Sequence, residues 1–132
     1  NITKFKPNPF FPVNPLMLMR GAWAAQFEGV FEPYFRAAYH HMWEEPKKMD
    51  DPEVFRSAFL SSGIDIDRLI ARAQQDDVKK KLIEVTTDAV ERGAFGSPTF
   101  FVGKEIFFGK DQVRDVEESI VEQLGAAKAK SA

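Results

Sequence analysis

Cysteine is absent from the 132 residues, which removes disulfides, thiolate metal sites and any thiol nucleophile supplied by this chain. Histidine is scarce, with His40 and His41 the only imidazoles, so thiol and histidine chemistry are nearly closed to it. Basic charge is not in surplus. Eighteen Lys+Arg face 20 Asp+Glu, for a net charge of −2 and a pI of about 5.7. That leaves nothing to neutralise a phosphate backbone and excludes a general nucleic-acid role. Long apolar runs are missing as well. The LMLM of residues 16–19 and the IFF of 106–108 are far short of the ~20 residues that span a bilayer, so no membrane partner is expected and the location predicted is cytoplasmic.

What is present suits one folded domain. At this length folding buries roughly two-thirds of the surface of the unfolded chain, and 44% hydrophobic with 29% charged residues is not the composition of a disordered polymer. Position 1 is Asn, and residues 1–15 carry four prolines with little periodicity. This reads as the middle of a loop, and an upstream segment is expected. Residues 1–14 are predicted to be an extended lead-in, because Pro removes donors and keeps its predecessor out of the helical region.

Residues 15–92 read as an all-helical unit. Asn14-Pro15 is a cap followed by Pro at the first helical position, and Leu16, Met19, Trp23 and Phe27 follow at helical spacing. Phe31, Phe35, Tyr39, Met42 and Trp43 stripe a second helix over 31–44. Asp51-Pro52 repeats the cap-plus-Pro signal for a helix to about Ser61. Asp65 caps a short helix, and Asp76 or Asp77 starts a longer one that Gly93 stops. Then the pattern changes to β. Residues 99–102 (TFFV) and 105–108 (EIFF) flank Gly103-Lys104, the length of a two-residue hairpin turn. Asp111 is predicted to cap a final helix to about 125, with 126–132 a frayed tail.

Two strands are marginal in water, and Phe100, Phe101, Phe107 and Phe108 place apolar side chains on both faces of this hairpin. Partner strands are therefore expected from outside these residues. Pro98 sits where the first strand begins and cannot donate a ladder bond. A cis Ser97–Pro98 bond would turn the backbone N–H and C=O of Ser97 outward, although only about 5% of X–Pro bonds are cis.

The order helix, Gly-rich turn, Ser97-Pro98-Thr99, hairpin and Phe108-Gly109-Lys110-Asp111 resembles the cis-proline loop and closing ββα half of the thioredoxin fold. More narrowly, the chain resembles the 2-hydroxychromene-2-carboxylate isomerases, relatives of kappa-class glutathione transferases and of DsbA-like oxidoreductases. The matching pieces are Phe11-Pro12-Val13-Asn14, Met19-Arg20-Gly21-Ala22, Phe31-Glu32-Pro33-Tyr34-Phe35-Arg36, Trp43, Asp51-Pro52, GAFGSPTFFVGKEIFFGKD (93–111) and Val116-Glu117-Glu118. The resemblance implies an α/β, thioredoxin-like fold with an inserted all-helical domain, of which this chain carries the insert and the C-terminal ββα half (93–125). The family's catalytic serine would lie upstream, so no catalytic residue is assigned in this chain.

By resemblance, glutathione is the cofactor. Ser97, before Pro98, would pair through its backbone with the cysteinyl unit, and Phe108, Gly109, Lys110 and Asp111 would receive the γ-glutamyl end. Free N–H groups at a helix start favour its carboxylate, and Asp111 can accept from its ammonium. A bland alternative makes Asp111 only a cap and Gly109 only a turn glycine. Two departures from the family pattern are Ser97, where a small apolar residue is common, and Gln112, where an Arg often follows the Asp. Because the family seats its small aromatic substrate between its domains, Asn14 and Trp43 are candidate substrate contacts. For Asn14 the commoner role is a helix cap, and for Trp43, as for Trp23 and Met42, it is core. His40 and His41 point about 100° apart on a helix, so no metal site is assigned. Lys79, Lys80 and Lys81 read as a solvated face, and Arg20 as half of a buried ion pair.

The implied function is glutathione-dependent isomerisation of 2-hydroxychromene-2-carboxylate to trans-o-hydroxybenzylidenepyruvate in aromatic catabolism, by a homodimer. Competing readings are a kappa-like transferase or DsbA-like oxidoreductase, and a non-catalytic helical binding module.

Overall fold

Local chemistry sets the helix starts. Asp51 Oδ1 accepts from the N–H groups of Glu53 (3.0 Å) and Val54 (3.2 Å), with Pro52 at the first helical position, satisfying donors a helix start leaves open. Asp65 does the same for Arg68 at 3.0 Å. The computed structural model describes residues 3–130. Its helices are α1 (Leu16–Phe27), α2 (Phe31–Trp43), α3 (Pro52–Ala58), α4 (Ile66–Ala73) and α5 (Asp76–Glu91). Strands β1 (Thr99–Val102) and β2 (Glu105–Phe108) follow, then a 3-10 turn (Lys110–Gln112) and α6 (Val113–Lys130). None of these helices is long and apolar enough to cross a membrane.

The chain divides into two compact units, residues 1–84 and 85–132, with the division inside α5. In the first, α1 packs on α2 and α4. The core is built on Ala24, Ala25, Tyr34, Met49, Phe55, Phe59, Leu69 and Val78. Small residues on α1 let the neighbouring helices approach. Gly21 is buried against the Tyr34 ring, whose hydroxyl donates to the Leu18 carbonyl at 2.8 Å. Tyr34 stacks on Phe59 with centroids 4.8 Å apart and planes 7° from parallel.

From residue 3 onward the Pro-rich lead-in forms no helix or strand but turns at Pro9-Phe10, where the Phe11 N–H bonds to Asn8 O at 3.2 Å, and it is also pinned. Asn8 is buried, and its amide donates to the carbonyls of Met42 (3.1 Å) and Lys47 (3.0 Å), tying the segment to the end of α2. Lys6 N–H adds a bond to Trp43 O at 2.6 Å. The Phe11–Pro12 bond is cis. Arg20 makes no ion pair among the described residues, and its Nε is buried without a partner.

In the second unit β1 and β2 pair antiparallel, with Thr99 opposite Phe108 and Val102 opposite Glu105. Gly103 turns the chain with φ +59°, and Gln123 of α6 donates to Val102 O at 3.1 Å, closing the hairpin onto the helix. The Arg92 guanidinium lies 3.8 Å from the centre of the Phe101 ring. Two boundaries differ from expectation. The third helix stops at Ala58, where the sequence predicted about Ser61. The last one continues through Gly125 to Lys130, since its run of Ala and Lys favours helix and the lone Gly125 has open space around it. The remainder of the expected frayed tail, positions 131 and 132, lies outside the described residues.

Candidate functional site

Two predicted pieces meet at the start of the hairpin. The Ser97–Pro98 bond is cis, and the carbonyl of Pro98 accepts from the N–H of Gly109 at 2.9 Å. This bond sets the proline loop beside the 108–111 turn. The Phe95 and Phe108 rings pack across the same junction, centroids 4.5 Å apart, and Gly96 leaves room for Phe108, where an added Cβ would come within 2.6 Å of that ring. Thr99 Oγ1 donates to Gly96 O at 2.6 Å, bracing the loop from inside. Gly109 has φ +99° and ψ 153°, a region essentially restricted to glycine.

Ser97, Pro98, Phe108, Lys110 and Asp111 are all exposed on this surface, and Gly109 is half-buried. Among the described residues, neither the N–H nor the C=O of Ser97 pairs with another backbone group. The predicted cap does not form. The chain enters α6 through the 3-10 turn, whose Gln112 N–H bonds to Gly109 O at 3.2 Å, and no side chain caps it. Backbone supplies that acceptor, so the Asp111 carboxylate is left exposed and outside any hydrogen bond or ion pair among the described residues. Free amide donors, an exposed carboxylate and a glycine that keeps side chains away are the donor set that fits an extended, zwitterionic peptide such as glutathione.

The first unit holds a separate apolar groove of about 590 Å³ between α1 and α2, lined by Trp23, Phe31, Tyr34, Phe35, Met42 and Trp43 among others. Trp43 thus borders a groove, as do Trp23 and Met42, which also pack against the buried core as expected. Trp43 also stacks on Phe5, centroids 5.7 Å apart. Asn14 does not line the groove. Its Oδ1 accepts from Leu16 N–H at 3.0 Å and its own N–H donates to Asp50 at 3.1 Å, so it organises the start of α1. Lys81 carries its ammonium 5.5 Å from the Trp23 ring, a specific contact on what read as a solvated face. The groove offers no acid or base beyond phenols, and burial pushes the Tyr34 phenol well above its ordinary range, so its chemistry is that of binding flat apolar groups.

One grouping escaped the sequence reading. His40 and His41 do not diverge, because their ring centroids lie 4.7 Å apart, and Glu45 folds back beside them. The legible signal was His-His-x-x-Glu-Glu, which sets a carboxylate four residues after each imidazole.

The helical unit followed by a ββα unit with a cis proline at the strand entry defines a thioredoxin-type protein with a helical insertion. A sequence model of the DSBA-like thioredoxin domain matches residues 3–121, and the chain belongs to that family. It is also 29% identical, over 91 residues, to a 2-hydroxychromene-2-carboxylate isomerase of Sphingobium xenophagum. That match covers 69% of this chain and 47% of the isomerase, so the chain spans about half the length of that relative.

Proposed function

We propose that this chain supplies the helical domain and the closing ββα half of a glutathione-dependent isomerase. Its substrate is taken to be 2-hydroxychromene-2-carboxylate and its product trans-o-hydroxybenzylidenepyruvate, within the breakdown of naphthalene-like aromatics in the cytoplasm. The observation that carries this reading is the Gly109 N–H to Pro98 carbonyl bond of 2.9 Å. It sets the free backbone of Ser97 and the free carboxylate of Asp111 on one surface. The likeness to the Sphingobium isomerase supports the choice of reaction.

In this reading Ser97 holds the cysteinyl unit through strand-like backbone bonds. Asp111 accepts from the γ-glutamyl ammonium, while amide donors of the 108–111 turn take its carboxylate. Gly109 keeps the turn open. Glutathione, when bound, supplies a thiol whose reversible addition frees a former double bond to rotate, and a serine outside these residues is assigned to stabilise its thiolate. The aromatic substrate is assigned to Trp43, and the active protein is taken to be a homodimer.

The test is glutathione binding by calorimetry beside isomerisation followed by absorbance. Asp111→Ala should weaken glutathione binding by about 10-fold or more, the worth of one charge-assisted bond of roughly 1.5–3 kcal/mol, and Asp111→Glu should recover part of it. Unchanged binding in Asp111→Ala removes this assignment. The family match favours a second reading, a kappa-like transferase or a dithiol oxidoreductase. Glutathione conjugation or disulfide exchange without isomerisation would select it, and a dithiol would have to come from outside this cysteine-free sequence. Binding without any turnover would select a non-catalytic module.

A further inference from the structure

The end of α2 gathers charge against its own dipole. Glu44 and Glu45 follow the last turn, where the partial negative charge of free carbonyls disfavours carboxylates. His40 is set between them. Its Nδ1 lies 2.9 Å from Glu44 Oε2 and its Nε2 3.4 Å from Glu45 Oε2. A neutral imidazole that donates from Nδ1 to Glu44 presents a bare lone pair at Nε2, here facing a carboxylate oxygen. Two acceptors this close call for a cation between them or a second proton on the ring.

His41 points to the cation. One ring nitrogen from each histidine and one Glu45 oxygen all lie within 4.8 Å of one another. His41 is 7% exposed, and its Nδ1 is buried with no hydrogen-bond partner.

We propose that His40, His41 and Glu45 form a site for a divalent transition metal of the Zn²⁺ class, with Glu44 orienting His40 from behind. Two imidazoles and one carboxylate suit Zn²⁺ far better than Mg²⁺ or Ca²⁺, which take oxygen ligands. A carboxylate that accepts from the other nitrogen of a ligating histidine is the recurring outer partner of such sites. With bonds of 2.0–2.2 Å, tetrahedral ligands sit roughly 3.3 Å apart. The His40–Glu45 edge already matches at 3.4 Å, and Glu45, with its side chain 63% exposed, is free to rotate and close the rest. Three protein ligands leave a position open. His40, His41 and Glu44 line an open surface depression with Arg36, Ser61 and Ser62, from which water can fill it. The bound cation would also reverse the mismatch between the two carboxylates and the helix end.

A protonated His40 bridging both carboxylates is the competing arrangement, and it leaves the buried Nδ1 of His41 without a partner. Titrating the intact protein with Co²⁺, read by its visible ligand-field absorption and back-titrated with Zn²⁺, separates the two. A band saturating at about one equivalent, bleached by Zn²⁺ and accompanied by Zn²⁺-induced shifts of both imidazole C–H resonances, is expected. Glu45→Ala and His40→Ala should abolish it with helical circular dichroism unchanged, and Glu44→Ala should weaken binding by about 10- to 100-fold. His41 is left intact because its burial ties it to folding. The proposal is overturned by the absence of a band, by a band that persists in both ligand variants, or by a His40 ring that stays doubly protonated and unmoved by Zn²⁺.

Discussion

Gly21 is fitted closely against the Tyr34 ring in the helical unit. A Cβ on Gly21 would fall inside contact distance of the Tyr34 hydroxyl and 2.8 Å from its Cζ. The ring cannot retreat, because Phe59 stacks on one face and the hydroxyl is bonded to Leu18. Helix propensity favours Ala over Gly by about 1 kcal/mol, but overpacking a core costs about 1–3 kcal/mol. We therefore expect Gly21→Ala to destabilise by about 1 kcal/mol in chemical denaturation, the overpacking cost less the propensity gain. Removing the nearest clashing atom tests the cause, so Gly21→Ala should cost less in a Tyr34→Phe background than alone, a coupling that a double-mutant cycle measures. The two were not visible as a pair in the sequence, where Gly21 and Tyr34 each stood as one residue in a separate motif. The same holds for Asn8, whose buried amide bonds join residues 34 and 39 positions apart. Roles that depend on long-range contact leave no local pattern.

Helices α3, α4 and α5 were legible because their starts are written in single residues. Asp51 and Asp65 act through the next three N–H groups, a range that sequence does record. Asp51→Ala should cost about 0.5–2 kcal/mol of stability by thermal melt, with Asp51→Ser recovering most of it. The ties between these helices were not legible. Arg56 of α3 pairs with Asp67 of α4 at 2.6 Å, and Arg72 of α4 with Asp77 of α5 at 2.7 Å. Hydrogen bonds from the arginines hold both carboxyls below the usual range. A depressed folded value means the contribution is present above the unfolded pKa of about 3.9 and is lost as pH falls through the folded one. Both pairs are exposed, so neutral stability should change little in Asp67→Asn. The acid limb of stability against pH, read from urea midpoints below about pH 4, should become shallower. In the second unit the cap at Asp111 was misread, since a 3-10 turn adds a step that Phe-Gly-Lys-Asp does not announce. With no cap formed there, the Asp111 carboxylate stays outside any hydrogen bond or ion pair among the described residues.

The buried apolar core of the described residues runs from Val13 to Val78 and takes nothing from the strands. By contrast, Phe95, Val113, Val121 and Leu124 are each more than half exposed, and Ile106 and Phe108 are 44% exposed. The second unit therefore has a two-stranded sheet and a helix but little interior, which is marginal by itself. This asymmetry was readable from the four phenylalanines on both faces of the hairpin, because a strand apolar on both sides demands cover on both sides. What would give that cover is not legible, because among the described residues β1 and β2 pair only with each other. The two units should accordingly differ as fragments. Residues 1–92 should melt cooperatively with a helical signal, since they keep every core contact together with α5. Residues 93–132 should show no cooperative transition, and in the 132-residue chain the amides of β1 and β2 should exchange with solvent faster than those of α1 and α2. Equal protection in strands and helices would mean that the hairpin is stabilised without further strands, and the expectation of outside partners for β1 and β2 would then have to be given up.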